Sequence, residues 1–103
     1  MSTIDDFTCE EEISHIDLLK IDTEGFDLEV LRGAQQMLDA GKISFVQVEV
    51  GFHPDNTCHV SFDKIRDFLF LREYCLFGLY EQQLEWTGEA KLRFANAVFF
   101  RQR

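Results

Sequence analysis

The segment IDLLKIDTEGFDLEVLRGA, from Ile16 to Ala34, changes its apolar pattern in one place. Up to Asp22 it is short and rich in Ile and Leu, which predicts a strand over residues 16–22. From Gly25 onward, Leu28, Leu31 and Leu38, with Val30, Ala34 and Met37, recur at helical spacing to about Ala40, and Gly41 follows as a closing glycine. One letter stands out. Lys20 puts an ammonium among Ile16, Leu18, Leu19 and Ile21, and Asp22 and Glu24 follow at once.

The flanking segments extend the same alternation. Residues 3–13 predict a short helix, with Ser2 or Thr3 as cap and Asp5 and Asp6 in the first turn, where the helix dipole favours acids. KISFVQVEVGF carries Phe45, Val46, Val48 and Val50 and predicts a second strand. HPDNTCH, residues 53–59, holds the sole proline and predicts a loop. Ser61 can cap a helix from Phe62 to about Glu73, with Asp63 in its first turn. YCLFGLYEQQLEW and KLRFANAVFFR predict an antiparallel pair around a Thr87–Gly88 turn. The order α-β-α-β-α-β-β specifies an α/β domain with a partly parallel sheet. At 103 residues the chain is one domain over residues 1–103.

Composition removes several classes of partner. Net charge is −9, and no run of Lys or Arg supplies the positive footprint that nucleic acid or an anionic membrane surface requires. No apolar stretch approaches the roughly 20 residues of a membrane span. The first twelve residues, MSTIDDFTCEEE, are acidic and lack a signal-peptide apolar core. Cys9, Cys58 and Cys75 are odd in number and widely spaced, which fits reduced thiols and a cytoplasmic protein. Seven of the 11 Phe residues fall from Phe62 onward, either as a Phe-rich core or as a partner surface.

TIDDF (residues 3–7), the segment 16–34, VQVEVGF (46–52) and ANAVFF (95–100) together resemble the C-terminal half of the FkbM-type family of S-adenosylmethionine-dependent methyltransferases. The resemblance implies a partial class I methyltransferase (Rossmann-like) sheet of about four strands. Two would be parallel, followed by a C-terminal antiparallel pair, with three helices mainly on one face. In that family's seven-stranded sheet, ordered three-two-one-four-five-seven-six, residues 16–22 would be the fourth strand, SFVQVEV the fifth, and the final hairpin the sixth and seventh. The first strand with its glycine-rich turn, and the acid ending the second, have no counterpart here: the six glycines are scattered and none forms G-x-G. The expectation is that this chain alone binds no S-adenosylmethionine, although the family implies that cofactor. The cofactor-binding half could then come from another chain.

Ligands of open α/β sheets bind beyond the carboxyl ends of the strands. The resemblance places Asp22 there, facing the methyl donor or the substrate, with Glu24, Glu49 and His53 lining an acceptor pocket. A carboxylate or imidazole could then take a hydroxyl proton. Acids before a helix are also ordinary caps, so Asp22 remains open between capping and catalysis, and capping is favoured for Glu24. His53, Cys58 and His59 fit no standard metal spacing. By strand alternation Lys20 shares a face with Ile16, Leu18 and Asp22, near Gln47 or Glu49 of the next strand. A structural pair there is favoured over a lysine acting as a base.

Right-handed crossovers put all three helices on one sheet face. The other face is then bare, as is the strand edge from Ile16 to Asp22, and an open edge is a template for another chain. Two functions follow. The chain is either the acceptor-side half of an O-methyltransferase, not competent alone, or a self-associating interaction module. As a module it would form a homodimer through that edge or face.

Overall fold

The computed structural model describes residues 3–23, 25–52, 59–85 and 91–101. The chain begins with α1 (Ile4–Glu10). Thr3 and Asp6 form a reciprocal cap: Thr3 Oγ1 accepts the Asp6 N–H at 3.1 Å, and Asp6 accepts the Thr3 N–H at 3.5 Å. The helix is shorter than the predicted 3–13. Glu12 takes φ 54°, and the Ile13 N–H returns to the Thr8 carbonyl at 2.8 Å, a left-handed stop built without glycine.

β1 (Ile16–Ile21) follows, and the single helix predicted from Gly25 to Ala40 is two: α2 (Asp27–Arg32) and α3 (Gln35–Asp39). The break at Gly33–Ala34 is where α1 docks. The Asp5 N–H reaches the Gly33 carbonyl at 2.8 Å, and a Cβ on Gly33 would stand 3.1 Å from Thr3 Cβ. The Asp5 carboxylate then accepts the N–H groups of Gln36 and Met37, at 2.9 and 3.1 Å. An acid expected to serve its own helix caps another one instead. Gly41, at φ 70°, closes α3 as predicted, with the Lys42 N–H on the Met37 carbonyl at 2.9 Å.

β2 (Ile43–Gly51) pairs in parallel with β1, from Ile16↔Ile43 to Ile21↔Val48. A two-residue strand, β3 (Val60–Ser61), pairs with β2 at Val50↔Val60, so the sheet has five strands where about four were expected. It leads straight into α4 (Phe62–Phe70), where Ser61 makes no side-chain capping bond. β4 (Tyr74–Glu85) and β5 (Lys91–Arg101) form the antiparallel hairpin, and β5 inserts between β2 and β4. The order is β1-β2-β5-β4. β5 covers one edge of β2 over Phe45–Gly51, so β3 extends the opposite, β1 side just beyond Ile21.

One core holds the domain. Val46, Val48 and Val50 of β2, with Ala97 and Phe99 of β5 and Tyr74 of β4, meet Leu31, Met37, Leu38, Ile65 and Leu69 of the helices. Each fully buried Val, Leu or Phe of this kind stabilises the fold by about 1.5–3 kcal/mol. The alternate residues face the other way. Leu18, Lys20 and Phe45 are exposed, and Phe45 lies 5.9 Å, edge to face, from Phe77, itself 5.7 Å from Phe100. The helices therefore lie on one face, and no helix among the described residues covers the other.

Candidate functional site

The carboxyl ends of β1 and β2 open on a cavity of about 590 Å3. Gly25 of the β1–α2 turn and Gly51 at the end of β2 form part of its wall, and Leu28, Phe52 and Val60 supply apolar surface. Phe52 stacks on Phe62 at 5.2 Å, and Phe62 on Phe99 at 6.2 Å, which anchors that wall to the core. The polar lining is His59, Ser61 and Lys64 from β3 and α4, with Glu29 and Asp63. Cationic and anionic groups are mixed, so the lining suits a polar neutral ligand better than a multiply charged one.

His59 has the most defined surroundings of these groups. Its Nε2 donates to Oε1 of Glu49, at the end of β2, and its ring stacks on Phe94 with centroids 4.4 Å apart and planes at 19°. The two elements meet because β3 runs alongside the last residues of β2. Only 13% of the His59 side chain and 29% of the Glu49 side chain are exposed. Next to Glu49 in register, Asn96 of β5 donates to Glu81 at 2.7 Å. Glu81 is presented by an irregularity in β4, where it takes φ 52°.

The residues singled out in the sequence are distributed differently. Glu49 is brought against His59. Asp22 follows β1 as an exposed residue and is not part of the cavity wall. Lys20 is registered with Gln47, one of the two neighbours that strand alternation allowed, but it is solvent-exposed on the bare face, so no cost of burying its ammonium arises. Glu24, His53 and Cys58 lie outside the described residues. The N-cap of α2, Phe26, makes no side-chain capping bond, and the turn is held instead by Asp27, whose Oδ1 accepts both the N–H and the hydroxyl of Thr23.

The sequence marks His59 only beside His53 and Cys58 as a metal-spacing candidate, and it does not mark Asp27. His59 fell in a predicted loop, and its one signal was the pair of β-compatible residues, Val60 and Ser61, after it. For Asp27 the available clue was its spacing of four from Thr23.

The chain matches the family model described as Methyltransferase FkbM domain over residues 1–78. The match runs from α1 through β1, β2 and α4 into the start of β4, and the ANAVFF segment of β5 lies beyond it. No curated protein and no solved structure matches the chain.

Proposed function

The chain belongs to the FkbM methyltransferase domain family, and from that premise we propose that it is the acceptor-side half of an S-adenosylmethionine-dependent O-methyltransferase. The observation that carries this reading is the strand order β1-β2-β5-β4. It is the order that strands four, five, seven and six of a class I sheet would give, with the parallel pair ending at the cavity. Hydroxyl acceptors would enter there, between the β1–α2 turn and β3. Asp22, Glu49 and Lys20 are the proposed groups on the reaction side, and Glu24 and His53 the proposed acceptor contacts.

S-adenosylmethionine is what the family implies in general, and the described residues fit only part of such a site. They offer one wall of hydroxyl-handling groups. The β1–α2 turn carries a single glycine, Gly25, and Gly51 is the last residue of β2, so no glycine-rich strand-to-helix loop is present among them. This chain's own contribution is therefore to bind a hydroxyl and manage its proton. Calorimetric titration with S-adenosylhomocysteine tests the division. No heat at micromolar ligand is the expected result, and micromolar binding overturns it.

The second reading is a self-associating module, and the bare sheet face favours it: Leu18, Phe45 and Phe77 are 52%, 38% and 58% exposed. A homodimer would bury that face or the open edge of β1. A stable monomer in sedimentation at micromolar concentration removes this reading. No helix among the described residues is long and apolar enough to cross a membrane. Cys9 and Cys75 are free thiols, which fits the proposed cytoplasmic setting.

A further inference from the structure

Resting on the acceptor-side reading, we propose that the strand-end cavity takes an uncharged sugar ring, which makes the acceptor a sugar hydroxyl. The hydrogen-bonding roles around the cavity are mixed. Glu29 of α2 and Asp63 of α4 bring carboxylates, which accept; Lys64 of α4 brings an ammonium, which donates; Ser61 of β3 does both. A hydroxyl group donates and accepts at one oxygen, so a ring bearing several of them can satisfy every member of that set. An anionic ligand would meet Glu29 and Asp63, and a cationic one would meet Lys64. Net charge of either sign is therefore disfavoured.

Apolar surface adjoins these groups. Leu28 precedes Glu29, Val60 precedes Ser61 and Phe52 follows Gly51, so the same cavity offers apolar and polar contacts side by side. A pyranose has the matching pattern, with C–H groups on its faces and hydroxyls around its rim. Phe52 supplies a flat ring for such a face. It stacks on Phe62 at 5.2 Å, and Phe62 stacks on Phe99 of the core at 6.2 Å. The ring is thus held in place before a ligand arrives, which lowers the ordering cost of binding. The volume of about 590 Å3 falls within the ordinary span of small-molecule sites, roughly 300–1,000 Å3.

Backbone amide shifts of the isotopically labelled chain, followed by NMR as sugars are added, test the assignment. Methyl glucoside and methyl galactoside are the uncharged probes, and the uronic acid and the amino sugar of each are the charged ones. The expected result is that an uncharged glycoside shifts the amides of Gly25, Gly51, Val60 and Ser61, which line the cavity. It should bind at least about threefold more tightly than its charged counterparts, the effect of one screened surface charge. Asp63 and Lys64 are both exposed on α4, so replacing them leaves the core intact. Asp63→Asn should tighten binding of the uronic acid by about threefold, and Lys64→Met should do the same for the amino sugar. Tighter binding of a charged sugar by the unaltered chain overturns the proposal, as does unchanged selectivity in both variants. Silence of these amides with both glycosides overturns it too. If cyclohexanol then shifts the same amides, a hydroxyl pocket stands and only the sugar is removed. Micromolar binding of S-adenosylhomocysteine by the same sample removes the half-domain reading and leaves the sugar shifts to be judged alone.

Discussion

Asp27 and Thr23 close the β1–α2 turn between them: the buried carboxylate accepts the Thr23 N–H at 3.2 Å and the Thr23 hydroxyl as well. Asp27 is 1% exposed, and a carboxylate so placed is held by its hydrogen bonds or not at all. Asp27→Ala is expected to cost about 2–3 kcal/mol, the range for hydrogen bonds to a buried charged group. Asp22→Ala, at an exposed position, should stay within about 0.5 kcal/mol. Urea denaturation of the two variants decides which acid organises the turn. An equal loss from Asp22 would return it to the capping role.

The strand–turn–helix order, the parallel β1–β2 pair and the final hairpin were legible because apolar period and turn residues report backbone geometry locally. The split between α2 and α3 was not. VLRGAQQM keeps helical spacing across Gly33, and the break becomes visible only when α1 lies against it. Asp5→Ala should therefore destabilise the domain by about 1 kcal/mol, the ordinary value of a lost helix cap, although Asp5 lies in a different helix from the one it caps. Thermal unfolding of Asp5→Ala measures this, and a midpoint equal to that of the parent chain would contradict it.

The site was half legible for a related reason. Glu49 ends a strand and could be placed at a crevice by topology alone. Its partner His59 depends on β3 folding back beside β2 at Val50↔Val60, a contact of two residues that leaves almost no periodic signal. Lys20 was read as buried because its neighbours are apolar. Strand apolarity does not distinguish a covered face from a bare one, and here the face carrying Leu18 and Phe45 is open.

At the opposite end of the sheet, Arg101 joins three elements. Its Nη1 donates to the carbonyls of Leu38 and Arg72, at 2.9 and 3.2 Å, and its Nη2 donates to Glu73 at 2.8 Å. The Leu38 carbonyl, in the last turn of α3, also accepts the Gly41 N–H at 3.1 Å, so the guanidinium is a second donor there, and the Arg72 carbonyl lies just past the end of α4. Arg101→Met should lose about 2 kcal/mol. Arg101→Lys should recover little of it, because an ammonium lacks the planar fork that serves both carbonyls and the acid. Glu73→Gln should change stability by less than about 0.5 kcal/mol, since Glu73 is largely exposed. Chemical denaturation of the three variants separates carbonyl capping from the ion pair.

Tyr74 donates its hydroxyl to the Ile43 carbonyl and is almost fully buried. Burial pushes the phenol above its usual value of 10.0, outweighing the Arg101 charge and the bond to Ile43, which pull it down. The folded state therefore holds the phenol proton more tightly than the unfolded chain does. The stability this contributes is fully present below pH 10.0 and is lost as pH rises through the folded value. Denaturation midpoints measured across that range should fall more steeply for the parent chain than for Tyr74→Phe. Parallel curves would mean that Tyr74 ionises as freely folded as unfolded.

The bare face gives the sharpest separation between folding and association. Phe77 is 58% exposed, so its removal takes little apolar surface out of the core, yet it is the ring that both Phe45 and Phe100 meet edge to face. Replacing it by a charged residue places an ion at the centre of the patch, where any partner surface would have to desolvate it. Phe77→Lys is expected to keep the unfolding midpoint of the parent chain within the range of an ordinary surface change, about 0.5 kcal/mol. Lys20 lies on the same apolar face near Leu18 and Phe45, so the new charge adds to an existing one. Association through this face should weaken at least tenfold in a concentration series by sedimentation equilibrium, about 1.4 kcal/mol. Association that persists unchanged in Phe77→Lys would move the contact to the open edge of β1, where pairing is by backbone and is indifferent to the residue at position 77.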